Sequence, residues 1–150
     1  MKIQLDRQIA CEQKNIPSAT QMKKWIKAVL KKTTAQASAE LTVRTVESTE
    51  SAELNQEYRH KKGATNVLSF PDVPMPGMES DYLGDLVICS ELVEQEALEQ
   101  NIKVEDHWAH LVIHGTLHLL GYDHIKEKEA ARMEALETEI LKEFGISSPY

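Results

Sequence analysis

The stretch His114-Gly115-Thr116-Leu117-His118-Leu119-Leu120-Gly121-Tyr122-Asp123-His124 constrains this chain more than any other, because its three histidines stand at i, i+4 and i+10. On a helix, His114 and His118 lie one turn apart, about 6 Å along the axis and on one face, so both imidazoles can grip one ion. Gly121 can take a positive φ where a helix ends, which lets the chain double back and deliver His124 to the same ion. Three protein ligands leave a coordination position open. That is the mark of a catalytic zinc-type site, because water held there drops toward neutral pKa.

The spacing matches that of metzincin-type peptidases, H-E-x-x-H-x-x-G-x-x-H. Their general base is the glutamate that follows the first histidine, and here that place is Gly115. The metal cage is therefore expected without the protease base, which predicts metal-assisted hydrolysis with the proton handled differently. Core histidines on an amphipathic helix would be the plain alternative. Three at this spacing, with the glycine between, weigh against it.

A chain of 150 residues suits a single domain, 1–150, that buries most of its unfolded surface without disulfide staples. Cys11 and Cys89 form no Cys-x-x-Cys pair and are expected to be buried free thiols. The N-terminal residues lack an apolar signal core and no run is long enough to span a membrane, so a cytoplasmic protein with no membrane partner is expected. The formal net charge of −7 opposes tight sequence-independent binding to nucleic acid, and no DNA partner is expected. Acid gathers in 91–106 and 127–143, whereas the first half holds Lys23, Lys24, Lys27, Lys31, Lys32, Arg44, Arg59, Lys61 and Lys62, so an acidic shell with a locally basic mouth is possible.

Taken in order, Lys2 to Gln8 alternates as a half-buried strand. Ser18 then caps a helix that buries Met22, Trp25, Ile26, Val29 and Leu30. Glu40 to Glu47 reads as a second strand, and Ser48 to His60 as a helix stopped by Gly63. Asn66 to Pro71 is a third strand, Pro71 to Tyr82 a loop, and Leu83 to Cys89 a fourth strand antiparallel to the third. Ser90 is expected to cap a helix reaching Gln100. Glu105 or Asp106 starts the nearly all-apolar histidine helix, which should be buried. A last amphipathic helix, Lys126 to Phe144, presents Met133, Leu136, Ile140 and Phe144 and stops at Gly145. The whole reads as an α+β fold: a mixed, roughly four-stranded sheet packed by about five helices, with the metal helix central.

Across nearly its full length the chain resembles the YbeY-type endoribonucleases. The resemblance lies in Leu54-Asn55 with Tyr58-Arg59, in Thr65-Asn66-Val67-Leu68-Ser69-Phe70-Pro71, in Leu83-Gly84-Asp85-Leu86, and in the His114 to His124 motif. It implies zinc or a similar divalent metal, nickel included, held by His114, His118 and His124, with Arg59 and His114 mattering most for RNA cleavage. It also implies a metal-dependent endoribonuclease acting on single-stranded ribosomal RNA in rRNA maturation and ribosome quality control, in contact with the ribosome or its proteins. Physically, the Arg59 guanidinium offers a planar fork to two phosphate oxygens. From sequence alone, a surface ion pair with Glu57 or another carboxylate is the more ordinary use for that arginine, and only the resemblance reverses that preference.

Neighbouring residues invite weaker readings. His110 suits a place behind a ligand or in the core, and His107 a partly exposed position. Asp123 is able to orient a ligand or shape a turn, Asp85 to anchor the site or shape its own turn, and Asn66 and Ser69 to line a cleft. The rival readings are a metallopeptidase-like or other metal-dependent hydrolase, and a ribosome assembly factor whose metal is structural.

Overall fold

In the computed structural model, which describes residues 1–34, 36–78 and 80–150, the alternating segments pair into one mixed four-stranded sheet of order β1-β2-β4-β3. Its strands are β1 (Lys2–Ala10), β2 (Ser38–Val46), β3 (Val67–Pro71) and β4 (Tyr82–Cys89). β1 and β2 are parallel, β2 and β4 are parallel, and β3 runs antiparallel to β4 as expected. Side chains alternate across the sheet. Leu41, Val43, Leu86 and Ile88 enter the main core, while Thr42, Arg44, Asp85 and Val87 line a groove on the other face. In the loop between β3 and β4, the Asp72 amide donates to the Leu83 carbonyl at 2.9 Å; Glu79 lies outside the described residues.

Among the described residues five helices complete the α+β architecture: α1 (Ala19–Thr33), α2 (Ser48–Arg59), α3 (Ser90–Gln100), α4 (Val104–Leu119) and α5 (Glu127–Glu143). α1 begins as its sequence predicts, with the Ser18 side chain accepting the Gln21 amide at 3.1 Å, and buries Met22, Trp25, Ile26, Val29 and Leu30. α4 is the central helix: it touches α1, α3, α5, β3 and β4, and Trp108, Leu111, Val112, Ile113 and Leu117 are buried along it. Full burial of each such side chain stabilises by about 1.5–3 kcal/mol. α2 lies on the opposite side of the sheet, where Leu54 packs against a smaller cluster of Val46, Leu68 and Val87.

Several boundaries differ from the sequence expectation. α2 ends on His60, whose left-handed φ of 57° closes the last turn, so Gly63 is not the stop. Ser90 is the first residue of α3 and its cap is Cys89; the buried Ser90 hydroxyl instead donates to Gln13 Oε1 at 2.9 Å, fastening α3 to the strand-one exit. α4 starts at Val104, with Glu105 and Asp106 in its first turn, where acids complement the helix dipole. Cys89 is buried, whereas Cys11 is only half-buried.

Candidate metal centre

α4 ends as the histidine spacing requires. Gly121 takes φ +97°, and the amides of Gly121 and Tyr122 return to the carbonyls of His118 (3.0 Å) and Leu117 (3.1 Å). This Schellman turn satisfies carbonyls that the helix end leaves orphaned, and it reverses the chain toward His124. Asp123 accepts the His124 backbone amide at 2.7 Å, which is the turn-shaping use of that carboxylate.

The three histidines come together. A ring nitrogen from each of His114, His118 and His124 lies within 4.8 Å of the other two, and the ring centroids are 4.6, 5.6 and 5.0 Å apart. His114 and His118 face each other through Nε2 at 3.1 Å. Tetrahedral zinc with Zn–N bonds near 2.0–2.1 Å sets its nitrogen ligands roughly 3.3 Å apart, so this donor set fits a divalent cation. Burial, and then the neighbouring His114 and His124 rings, push His118 down to about 4, which leaves it neutral with a free lone pair at neutral pH.

The cluster opens on a cleft of about 270 Å³ whose other walls include Asn55, Arg59, Lys61, Thr65 and Asn66. Of the chain's 24 acidic residues, none lines this cleft among the described residues. Arg59, in the last turn of α2, is exposed and makes no ion pair among the described residues, so the expected Glu57 alternative is not realised. The loop after α2 is held in place: Asn55 Nδ2 donates to the Gly63 carbonyl at 2.9 Å, the Thr65 amide donates to Ser51 Oγ at 3.0 Å, and the Ser51 hydroxyl donates to the Thr65 carbonyl at 2.8 Å. That pinning fixes the turn whose Arg59 and Lys61 line the same cleft as the imidazoles.

Behind the histidines lies a group that sequence reading passed over. Glu137, on α5, has no exposed surface, and its carboxylate is hydrogen-bonded to His114 Nδ1, to the Tyr150 hydroxyl and, at 3.4 Å, to His110 Nε2. Burial alone would raise its pKa. The hydrogen bonds from His110, His114 and Tyr150 outweigh burial and bring it to about 2. Tyr150 moves the opposite way: burial, then the Glu137 carboxylate, hold its hydroxyl well above the ordinary tyrosine range. The available signal was spacing. Glu137 shares the buried stripe of Met133, Ile140 and Leu141, where an acid is out of place unless it is satisfied.

Other candidates find definite places. His107 is not a partly exposed residue: it is 3% exposed, and its Nε2 pairs with Glu96 Oε1 at 2.8 Å. The reason is that α3 packs over this turn of α4, and Glu96 supplies the partner a buried imidazole needs. The same oxygen accepts Asn66 Nδ2 at 3.0 Å, which orients Asn66 at the cleft. Asp85 lies in the groove on the other face, hydrogen-bonded to the Tyr82 hydroxyl. Ser69 points under α4, 3.4 Å from the Gly115 carbonyl. A Cβ at Gly115 would meet Leu86 Cδ2 at 2.8 Å, so the position that holds a peptidase's glutamate is closed by packing against the sheet.

Comparison with known proteins agrees with this picture. The chain is similar to the solution structure of TM1509 from Thermotoga maritima, with 30% identity and a TM-score of 0.59 over 93% of this chain and 91% of that one. Residues 8–145 match the family model described as Endoribonuclease YbeY. A match over that span, together with the four-stranded α+β sheet, places this chain in the YbeY endoribonuclease family.

Proposed function

We propose that residues 1–150 form one metal-dependent endoribonuclease domain that cleaves single-stranded ribosomal RNA in rRNA maturation and ribosome quality control, working in the cytoplasm in contact with ribosomal components. The observation that carries the reading is the meeting, in one cleft lined by no acid among the described residues, of three convergent imidazoles with Arg59 and Lys61. His114, His118 and His124 hold zinc, or nickel in its place, since imidazole suits both. When bound, such a cation supplies Lewis-acid chemistry, polarising a phosphate oxygen or lowering the pKa of water.

The chain's own residues do the rest. Cleavage of an RNA strand gathers negative charge on the reacting phosphate, and the Arg59 guanidinium receives two of its oxygens through parallel N–H bonds. Lys61 adds a second positive charge at the cleft wall. Asn55 and Asn66 are held by Gly63 and Glu96 respectively, so their positions are fixed before substrate arrives.

The peptidase reading loses its support at Gly115, where no glutamate side chain has room. A purely structural metal in an assembly factor would be better served by a fourth protein ligand, whereas the cluster consists of three imidazoles with His124 exposed. The deciding experiment is cleavage of labelled single-stranded RNA by zinc-loaded wild type, His114→Ala and Arg59→Ala, all prepared nuclease-free. The expected outcome is loss of cleavage in both variants, with Arg59→Ala still binding zinc. Equal cleavage by all three would refute the mechanism.

A further inference from the structure

We propose that Glu137 is a positioning residue for the metal centre: from behind the ring it fixes the tautomer and orientation of His114, while Tyr150 and His110 hold the carboxylate itself in place. This role rests on the three-imidazole site proposed above.

The two nitrogens of His114 face different surroundings. Nε2 looks toward His118 Nε2 at 3.1 Å, inside the three-imidazole cluster, and Nδ1 is hydrogen-bonded to Glu137. A neutral imidazole has one donor and one acceptor, and a carboxylate only accepts. The proton therefore sits on Nδ1, and the lone pair on Nε2 is aimed at the ion's position. Among the described residues no other group hydrogen-bonds Nδ1 of His114, so the carboxylate is what distinguishes the two tautomers and anchors the ring against rotation. A carboxylate behind a ligating histidine also increases the ligand's basicity.

The carboxylate is itself held from several directions. Glu137 comes from α5, His110 and His114 from α4, and Tyr150 from the segment after α5. A wholly buried acid within the stripe of Met133, Ile140 and Leu141 displaces apolar packing, which a purely structural position would not require. Ligand atoms of His110, His114 and Glu137 also lie within 4.8 Å of one another, as a second cation site would need. A cation there would require His114 to give up its Nδ1 proton as well, and Oε2 is already hydrogen-bonded to the hydroxyl of Tyr150 and the ring of His110 while Oε1 is taken by His114. Hydrogen bonding to one ligand accounts for the contacts without that cost.

The test measures metal affinity rather than cleavage. Zinc affinity is determined by chelator competition for the full chain and for Glu137→Gln and Tyr150→Phe, beside the thermal midpoint of each apo protein and the visible absorption of each cobalt(II) form. The expected result is roughly 10–100-fold weaker zinc binding in Glu137→Gln, a smaller loss in the same direction in Tyr150→Phe, and a shifted cobalt band. If Glu137→Gln lowers the apo midpoint but binds zinc like wild type, the carboxylate is only a structural group and the proposal is overturned. A second zinc ion per wild-type chain that disappears in Glu137→Gln overturns it as well. Should Glu137→Gln fail to fold, Tyr150→Phe decides: unchanged zinc affinity and an unshifted cobalt band refute the relay. Weakened zinc binding in the variants, with no RNA cleavage by zinc-loaded wild type, would support the positioning role while sinking the proposed activity.

Discussion

Gly115 separates this site from a peptidase's at the level of one side chain. A methyl group there would stand 2.8 Å from Leu86 Cδ2 and 3.2 Å from Cδ1, and Leu86 is fully buried, so it has little room to swing aside. Overpacking of this kind costs about 1–3 kcal/mol, while alanine's better helix propensity returns about 0.8–1.0 kcal/mol over glycine. Gly115→Ala is therefore expected to lose at most about 2 kcal/mol, a drop of several degrees in thermal midpoint for a chain of this size. Gly115→Glu must in addition bury a carboxylate between α4 and the sheet, and is expected to lose far more and to gain no peptidase activity. Thermal unfolding of both variants checks the ranking; a Gly115→Glu protein as stable as wild type would mean that the helix-to-sheet packing has been misread. The convergence of His114, His118 and His124 was legible because their spacing is local. Glu137 was not, because its partners come from α4 and from the segment after α5, and because reading Leu136 into the apolar stripe left its neighbour on the polar side. His107 fell to the same cause, since its partner Glu96 belongs to another helix.

At the scale of elements, α2 matters because it brings Arg59 to the cleft from the opposite side of the sheet to α4. One fastening is the two-pronged pair between Arg44 on β2 and Glu50 on α2, with Nε donating to Oε2 at 2.7 Å and Nη2 donating to Oε1 at 2.9 Å. The hydrogen bond from Arg44 holds the Glu50 carboxyl below its ordinary value despite partial burial. A depressed folded-state pKa contributes stability that is present above the unfolded value and is lost as pH falls through the folded one. Wild type should thus exceed Glu50→Gln in stability at neutral pH, with the gap closing in acid below the usual glutamate range. Chemical denaturation at pH 7 and at pH 3 measures it, and a gap that stays constant would show that the pair does not fasten α2. Apolar patterning revealed the strands and helices of the described residues, as alternation in β1, as helical spacing in α1, as a short apolar run closed by Pro71 in β3 and as a nearly all-apolar stretch in α4. Boundaries were less legible where the ending depends on backbone strain carried by an ordinary residue, as at His60, or where a hydroxyl serves a distant partner, as Ser90 serves Gln13.

For the molecule as a whole, the question is how a chain of net charge −7 holds a polyanion. Long-range attraction is unavailable at that net charge, so the proposed function requires affinity to come from the few cations able to meet phosphate directly, above all Arg59 and Lys61 in a cleft lined by no acid among the described residues. Each phosphate neutralised on a single strand adds about −0.7 to the slope of log K against log salt concentration. With zinc loaded throughout, Arg59→Ala and Lys61→Ala are each expected to make that slope shallower by about 0.7. Lys23→Ala, an exposed position on α1 away from the cleft, should leave it unchanged. Titrating a labelled single-stranded RNA at several salt concentrations gives all four slopes. If Lys23→Ala changes the slope as much as Arg59→Ala does, or if wild-type affinity barely responds to salt, RNA is held by contacts other than the charges of this cleft.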